Sequence, residues 1–356
     1  MPARGPSIRI GALVPLTRPG WVEAGRHLLA GLELAAHEVN DAGGIAGRPL
    51  ELLVRDTAAD PRRATAAVDE LAELGVAALA GEYHSVVARA VATRADALGV
   101  PFLCSSAVLD ELTDHPTDWV ARVAPAQSHA WRIYADHLLS AGHTHIAVAT
   151  QPSVYWAAGT RILRDHLAPH AGTVTELDMT ALTPTAVCDE LAANGATALL
   201  LLTGHPEPAA SIVRSVRGDR RVADVLIGAP AGQPELTEWA TPYGTGIPFL
   251  RYLPAPLGPL GERVAASLRE KLTTAPSFVA FEGYDTVKAL TSALRTHGTT
   301  RADIAKSWPH ITTEATRGRI HFTRTPGINN WQWTWPPVQV VERDPSEPGR
   351  FRVRPT

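Results

Sequence analysis

Apolar positions near the start of the chain form two short runs separated by a segment with helical periodicity. The first run, residues 8–16, is bounded by proline and glycine and predicts a short buried strand. After it, apolar residues recur at three- and four-residue steps, as on one face of a helix: Leu28, Leu29, Leu32, Ala35, Ala36 and Val39. Gly43 and Gly44 end this helix, and residues 49–55 predict a second strand. The pattern indicates a strand–helix–strand unit of a parallel sheet.

The alternation of strands and helices continues to about residue 230, and two further helices follow. Short apolar runs predict strands at residues 77–80, 101–105, 119–124, 146–150, 172–178, 198–203 and 225–228. Helical periodicity predicts helices at residues 85–98, 128–141, 157–167, 184–194, 208–217, 258–272 and 277–296. Such alternation is typical of α/β proteins, whose ligands bind beyond the carboxyl ends of parallel strands. We therefore expect functional residues directly after the strands.

Length, composition and charge limit the classes of protein to consider. At 356 residues and 38.0 kDa, the chain is longer than most single cores, which favours two lobes. The formal net charge of −3 indicates no basic surface for nucleic acid or anionic membranes. No apolar run is long enough to span a membrane. We expect the two cysteines, Cys104 and Cys188, to be buried free thiols.

Three features of the first 56 residues carry a family resemblance. The first strand leads into the loop Pro-Leu-Thr-Arg-Pro, the helix ends in Asn-Asp-Ala-Gly-Gly-Ile-Ala-Gly, and the second strand ends at Asp56. This stretch resembles the opening of the type I periplasmic binding proteins, which include branched-chain amino acid, amide and urea receptors of ABC importers. Arg18 stands where that family usually has a loop glycine.

The resemblance implies an α/β fold with two doubly wound parallel-sheet lobes joined by three hinge crossovers. Lobe I is expected to comprise residues 8–122 and 253–320, and lobe II residues 123–252 and 321–341, with a C-terminal tail at 342–356. The crossovers are predicted at residues 119–124, 247–253 and 319–323. The resemblance also implies a ligand cleft between the lobes.

Five residues of the first lobe are candidate ligand contacts. By resemblance, Ser85 takes the place of the serine that holds the ligand carboxylate in amino acid receptors, although a serine there can equally cap the helix. Tyr83 lies in the same loop, and Ser106 and Ala107 follow the next strand and offer a hydroxyl and backbone amides. Trp21 occupies a loop where relatives place a large aromatic over the cleft, and hinge packing is the alternative.

Four further candidates come from later in the chain. Tyr155 follows a strand, as a cleft tyrosine of the family does, and His205 follows another, where it is either a ligand contact or an ordinary surface residue. The amino acid receptors carry a glutamate for the ligand ammonium where this chain has Pro230 or Ala231, which argues against a free amino acid. Glu282 is a candidate replacement acid from the other lobe.

Two other groups of residues are assigned weaker roles. Trp331, Trp333 and Trp335 alternate along the chain and are expected on one face of a strand, where packing beneath a hinge is favoured over ligand stacking. His143 and His145 lack an identifiable third ligand, so we expect no metal site, and no cofactor motif is present. The motifs of nucleophilic, nucleotide-dependent and zinc-dependent catalysis are also absent from the sequence.

These features together predict a non-enzymatic receptor that closes two lobes on a small polar or aromatic molecule, as the substrate-binding component of an ABC importer. The alternative is a cytosolic sensor that controls a regulator, as amide sensors of the family do. Less favoured are an enzyme that uses His205, Tyr155 or Glu282 as acid or base, and a DNA-binding repressor. The expected partners are a small ligand and either an ABC permease or a regulator, with no nucleic acid and no direct membrane insertion.

The segment before the first strand gives an expectation for the cellular compartment. The segment before the first strand has no apolar core of a secretory signal. The chain is thus cytoplasmic as written, or extracytoplasmic of the periplasmic type if a leader was removed.

Overall fold

The chain divides into two compact units. A computed structural model describes residues 5–204, 207–235, 239, 241–347 and 349–356. Unit 1 comprises Met1–Ala126 and Pro256–Pro337, and unit 2 comprises Gln127–Ala255 and Val338–Thr356, so the chain passes between them three times. These bounds differ from the expected lobes at residues 123–126 and 321–337, which belong to unit 1, and at residues 253–255 and 342–356, which belong to unit 2.

The described elements are numbered in chain order. Unit 1 contains the strands β1 (Ile8–Val14), β2 (Leu50–Asp56), β3 (Ala78–Gly81), β4 (Phe102–Cys104), β5 (Val120–Arg122), β11 (Thr312–Ala315), β12 (Gly318–Thr323) and β13 (Trp331–Trp333). Its helices are α1 (Val22–Asp41), α2 (Pro61–Glu73), α3 (Ser85–Ala97), α8 (Pro259–Leu272), α9 (Phe278–Thr296) and α10 (Arg301–Ser307). Unit 2 contains the strands β6 (His145–Thr150), β7 (Thr173–Asp178), β8 (Ala198–Leu202), β9 (Leu226–Gly228), β10 (Phe249–Arg251), β14 (Gln339–Arg343) and β15 (Phe351–Val353). Its helices are α4 (Gln127–Ser140), α5 (Val154–Leu167), α6 (Pro184–Asn194) and α7 (Ala209–Gly218).

The sheet of unit 1 is doubly wound. Its strand order within the described residues is β11-β12-β13-β5-β4-β3-β1-β2, and β1 to β5 pair in parallel. Strand order therefore reverses at β1, which lies between β2 and β3. Leu79 of β3 and Phe102 of β4 pack in a buried core with residues of α2 and α3. Helix α9 also packs against β3 and β4, and α1 packs against α9.

Unit 2 has the same winding on a smaller scale. Strands β7-β6-β8-β9 form a parallel sheet in that order, so strand order reverses at β6. Strands β10, β14 and β15 form an antiparallel sheet, in which Arg343 pairs with Phe351. The parallel-sheet units confirm the α/β fold class expected from the sequence.

Most of the predicted elements are present, and the differences lie late in the chain. Residues 319–323, expected to form a crossover, lie in β12, which pairs with β11 and β13 inside the unit 1 sheet. The chain instead changes unit after Pro337. Residues 247–253 contain β10, and the corresponding change of unit follows Ala255. Cys104 and Cys188 are buried free thiols, as expected.

Helices α1 and α9 approach so closely that only glycine fits at Gly31. A Cβ atom there would lie 1.9 Å from the Ala280 carbonyl oxygen, and at Gly283 it would lie 2.4 Å from the Leu28 carbonyl oxygen. Backbone atoms of a packed helix cannot move aside without shifting the helix. We expect Gly31→Ala to lower the free energy of unfolding by about 1–3 kcal/mol, the range for overpacked cores.

Chemical denaturation of the purified protein measures this effect. Gly218→Ala is the matched control, because an added Cβ at that helix end meets nothing within 4 Å. A Gly31→Ala protein as stable as the control would contradict the close approach of α1 and α9.

Candidate functional site

The strand order of unit 1 places its candidate site at the carboxyl ends of β1 and β3. In doubly wound sheets, ligands bind where the strand order reverses, because the loops after the two strands diverge and leave a crevice. The loop after β1 carries Trp21, and the loop after β3 carries Tyr83, His84 and Ser85. Four of the loop residues nearest this point therefore come from two segments that are far apart in sequence.

Asp56, the last residue of β2, fixes the loop after β1. Its Oδ1 atom accepts hydrogen bonds from the backbone N–H groups of Leu16 (2.7 Å) and Ala58 (2.9 Å), and its Oδ2 atom accepts from the Thr17 hydroxyl (2.6 Å). Arg63 also donates to Oδ2 at 3.0 Å. Burial by itself raises the pKa of Asp56, but these hydrogen bonds bring it below its usual value. Asp56 therefore stabilises the conformation of the loop after β1.

An aromatic group formed by Trp21, Tyr83 and His84 joins the two loops. The Trp21 and Tyr83 rings pack edge to face with centroids 5.4 Å apart. The backbone N–H of Trp21 donates to Nε2 of His84 at 3.2 Å, so this nitrogen is an acceptor. Burial lowers the pKa of His84, which agrees with a neutral ring. Trp21 and Tyr83 are both half-buried residues.

Glu82 is a buried carboxyl group that supports the loop after β3. It lies directly after the strand with φ of +63°, and its Oε1 atom accepts from the N–H groups of Tyr83 and His84, both at 2.9 Å. Burial raises its pKa to about 7, and the charge of Asp56 adds to that effect. The Oε2 atom has no hydrogen-bond partner among the described residues.

Two serines lie at the ends of the neighbouring strands. Ser85 is the first residue of α3, where the residue before it provides no side-chain cap, and its Oγ atom accepts from the Leu109 N–H at 3.4 Å. Ser85 therefore does not act as a capping residue, and the first turn of α3 presents backbone N–H groups. Ser106 follows β4, is 4% exposed, and has no hydrogen-bond partner for its hydroxyl among the described residues. A buried unpaired hydroxyl of this kind is a group that a ligand can satisfy.

The segment with Ser106 and Ala107 is held from below by Arg122 of β5. The Arg122 guanidinium donates to the carbonyl oxygens of Leu109 (2.6 Å) and Ala107 (3.5 Å) and to the Gln332 side chain (2.7 Å). The Ser106 N–H donates to the Glu82 carbonyl oxygen at 3.2 Å. Ala107 is buried, and these bonds fix the loop after β4 beside the loop after β3.

In unit 2, Tyr155 occupies the first turn of α5, directly after β6. Its carbonyl oxygen accepts from the Gln127 side chain at 2.7 Å, and its hydroxyl accepts from Nε1 of Trp131 at 3.3 Å. Burial raises the pKa of Tyr155, while Trp131 and Tyr252 act against that rise as hydrogen-bond partners. Tyr155 is half-buried as a residue, and the hydrogen bond from Trp131 holds its hydroxyl in place.

The remaining candidates are placed differently. Pro230 is buried just after β9, and no acidic side chain occupies that position or the next. His205 lies outside the described residues. Glu282 is 1% exposed within α9 of unit 1, and its Oε1 atom accepts from Arg317 at 3.1 Å. The Glu282 carboxylate is therefore already paired with an arginine. Its role as an acid for the ligand stays a prediction.

The three tryptophans of the late segment do not share one environment. Trp333 is buried and its Nε1 donates to the Arg319 carbonyl oxygen at 3.0 Å. The Arg324 guanidinium lies 4.3 Å from the centroid of the Trp331 ring. Trp335 lies beyond β13, has φ of +59° and is 77% exposed. Packing therefore accounts for Trp331 and Trp333, whereas Trp335 is a surface residue.

Sequence reasoning did not select Glu82 and His84, which contact the candidate residues Tyr83 and Trp21. The available signal was an acidic residue immediately after a buried strand, in the segment Gly81-Glu82-Tyr83-His84-Ser85. No helix among the described residues is long and apolar enough to cross a membrane. Within the same residues, no group of three or more histidine, cysteine, aspartate or glutamate side chains has metal-site geometry.

Comparisons with known proteins agree on the fold. The sequence model of the family described as "periplasmic binding protein" matches residues 7–334. The crystal structures of the leucine-binding protein LivK of Thermotoga maritima and of the isoleucine complex of LivJ from Streptococcus pneumoniae both superpose with a TM-score of 0.81. They are 19% and 20% identical and cover 97% and 98% of this chain, and 97% and 99% of their own. A benzoate-bound solute-binding protein of an ABC transporter from R. palustris superposes with a TM-score of 0.78 at 18% identity, covering 98% of this chain and 95% of its own.

The curated relatives resemble a shorter segment. Leu/Ile/Val-binding protein homolog 8 of Brucella abortus is 32% identical over 133 residues, and homolog 7 is 34% identical over 119 residues. The matched segments cover 37% and 33% of this chain. They span 32% and 29% of those relatives, which is about a third of their length.

Proposed function

From the premise that this chain belongs to the periplasmic binding protein family, we propose that it is a receptor for a small polar or aromatic molecule and the substrate-binding component of an ABC importer. The observation that carries this proposal is the group of polar atoms at the reversal of strand order in unit 1. It combines the buried, unpaired Ser106 hydroxyl, the Ser85 hydroxyl and the uncapped start of α3 with the half-buried residues Trp21 and Tyr83.

The chemistry of this group suits a ligand with an oxygen-rich head and an apolar or planar body. Serine hydroxyls and helix-end amides donate hydrogen bonds to a carboxylate or a carbonyl oxygen. The half-buried Trp21 and Tyr83 rings offer apolar surface and edges beside those donors. In unit 2, the half-buried Tyr155 lies at the corresponding reversal of strand order, and we propose it as a ligand contact of that unit.

A free α-amino acid fits this arrangement less well than a carboxylate or amide without an ammonium group. Pro230 and Ala231 provide no carboxylate for an ammonium, and Glu282 is engaged by Arg317. A buried charge without a partner costs several kcal/mol, on the order of 3–5. We therefore expect stronger binding of benzoate-like or amide-like molecules than of leucine or isoleucine.

The same contacts favour a receptor over an enzyme. Of the groups that a catalytic mechanism would use, Glu282 is ion-paired and Tyr155 carries a pKa raised by burial. Neither forms a described pair with a nucleophile. The expected closure of two lobes on the ligand remains part of the proposal, and a decrease in the radius of gyration on ligand addition, measured by small-angle X-ray scattering, tests it.

A thermal-shift screen with variants tests the ligand site. Benzoate, acetamide, urea, leucine and isoleucine are the probes, and a bound probe at a hundredfold excess over Kd stabilises the folded state by about 2.7 kcal/mol. The probe that stabilises the wild-type protein most is called the active probe. Ser85→Ala and Ser106→Ala should each weaken its binding at least about tenfold, because a hydrogen bond to a charged group contributes about 1.5–3 kcal/mol.

Ser267→Ala is the matched control, since Ser267 donates to the Arg263 carbonyl oxygen within α8. It should bind like the wild-type protein. Equal affinity in all three serine variants would remove the proposed site. If the wild-type protein binds leucine or isoleucine more strongly than the other probes, the proposed ligand class is wrong but the receptor function stands.

A further inference from the structure

A second concave site lies at the opposite edge of the unit 1 sheet, where β1, β2 and β3 begin. The cavity has a volume of about 510 Å³ and is lined by Ser7, Arg9, Arg48, Val76, Thr300 and Arg301 among others. Its size is within the range of small-molecule sites, about 300–1,000 Å³. The ligand residues proposed above follow the carboxyl ends of the strands, so the two sites are separate.

Three arginines line this cavity, and backbone carbonyl groups fix the position of each guanidinium. The N···O distances are 3.1 Å from Arg9 to Leu74, 2.8 Å from Arg48 to Pro6, and 2.9 and 2.8 Å from Arg301 to Val76 and Ala72. Each guanidinium has five N–H donors in a planar fork. The carbonyl contacts use only one or two nitrogens of each guanidinium, so they hold the side chain in place and leave further N–H donors on each fork.

Two acidic side chains accept hydrogen bonds from residues that line this cavity. Glu51 accepts from the Ser7 hydroxyl at 2.6 Å and from Arg9 at 3.3 Å through the same oxygen. Asp303 accepts from the Thr300 hydroxyl at 2.6 Å and closes a capping box at the start of α10. Of the three arginines, Arg9 is therefore paired with a carboxylate, whereas the contacts given above for Arg48 and Arg301 are to backbone carbonyl oxygens. Burial also lowers the pKa of Arg301, because removal from water disfavours its positive charge. A bound anion would stabilise that charge.

We propose that this arginine-lined cavity binds a small organic or inorganic anion with at least two oxyanion groups. Arginine forks match the two oxygens of a carboxylate or phosphate in a bidentate arrangement. A cavity of about 510 Å³ has room for more than one such group. The proposal does not depend on the receptor function, because no residue of the proposed ligand site lines this cavity.

Calorimetric titration with citrate and with pyrophosphate, at constant ionic strength, tests the proposal and distinguishes carboxylate from phosphate chemistry. One of the two probes should bind the full chain with a stoichiometry of one. Arg9→Gln and Arg48→Gln should each weaken that binding at least tenfold. Arg62→Gln, an exposed arginine at the start of α2, is the control for a general loss of charge and should bind like the wild-type protein.

Ser85→Ala should also leave the binding of either anion unchanged, which separates this site from the proposed ligand site. The absence of saturable binding of both probes up to about 10 mM, a concentration that reveals even millimolar affinity, would overturn the proposal. Equal weakening by Arg9→Gln, Arg48→Gln and Arg62→Gln would overturn it as well, because the effect would then be one of net charge.

Discussion

Replacing Arg317 by methionine is expected to lower the free energy of unfolding by about 3–5 kcal/mol, the usual cost of removing one partner from a buried ion pair. Arg317 is fully buried and bridges Asp285 (2.9 Å) and Glu282 (3.1 Å), while its third nitrogen donates to the Val123 carbonyl oxygen at 3.2 Å. The substitution leaves two carboxylates of α9 buried without their cation. Denaturant titration at constant pH measures the loss.

The pH dependence of the loss identifies its cause. Burial already raises the pKa of Asp285, and removing Arg317 raises it further. The unpaired carboxyl groups then take up protons in the folded state as the pH falls, so the stability deficit of Arg317→Met should shrink at low pH and grow as the pH rises. A deficit that is independent of pH would show that lost packing against Trp333, rather than lost charge, dominates.

Arg319→Met is the matched control for this prediction. Arg319 lies two residues along the chain and pairs with Glu314 at 2.6 Å, but the side chains of that pair are 69% and 65% exposed. Exposed pairs contribute about 0–1 kcal/mol, because water and salt screen them. Similar losses in Arg317→Met and Arg319→Met would contradict the buried ion network.

Glu82→Gln is expected to remove a large part of the dependence of stability on pH near neutrality. The pKa of Glu82 is about 7 in the folded protein against 4.5 for the ordinary carboxyl group. The folded state therefore binds more protons than the unfolded state between these values, and the stability that neutral Glu82 provides is complete below about pH 4.5 and lost as the pH rises through 7. At about 1.4 kcal/mol per pH unit, the loss is roughly 3 kcal/mol.

Glutamine keeps the oxygen that accepts from the Tyr83 and His84 amides and cannot ionise. The variant should thus be more stable than the wild-type protein at about pH 8, with a flatter pH profile, as unfolding free energies from pH 4.5 to 8 would measure. Glu73→Gln, at the exposed end of α2, should leave the profile unchanged. Parallel profiles for the wild-type and Glu82→Gln proteins would show that Glu82 does not titrate in this range.

Much of the fold could be predicted, because its main elements have one strong pattern each. The apolar run of β1 and the periodicity of α1 are visible in one pass, and the structure places these elements at Ile8–Val14 and Val22–Asp41. Helix α2 was missed although Asp60 caps it, Pro61 is its first residue, and its buried residues recur at helical spacing: Ala64, Ala67, Val68 and Leu71. Residues 319–323 were misread because hinge strands and sheet strands have the same alternation.

The candidate site was predicted in part. Trp21, Tyr83, Ser85 and Ser106 were selected by resemblance and by position after strands, and the topology brings those loops to one edge of the sheet. Their contact with a ligand stays a prediction. Burial and pairing could not be predicted from position. The sequence does not show that Glu282 meets Arg317, or that Glu82 turns inward, since both depend on contacts between residues brought together by the fold.

Hydrogen exchange with and without the active probe tests most directly whether the chain is a receptor whose ligand lies at the reversal of strand order in unit 1. The amides of residues 83–86 and 106–109 should exchange more slowly in the bound state, because they contain the start of α3 and the loop after β4. Residues 5–9 and 74–77, at the arginine-lined cavity, should be unaffected. Slower exchange at residues 5–9 and 74–77 with none at 83–86 or 106–109 would contradict the account and place the ligand at the other edge of the sheet.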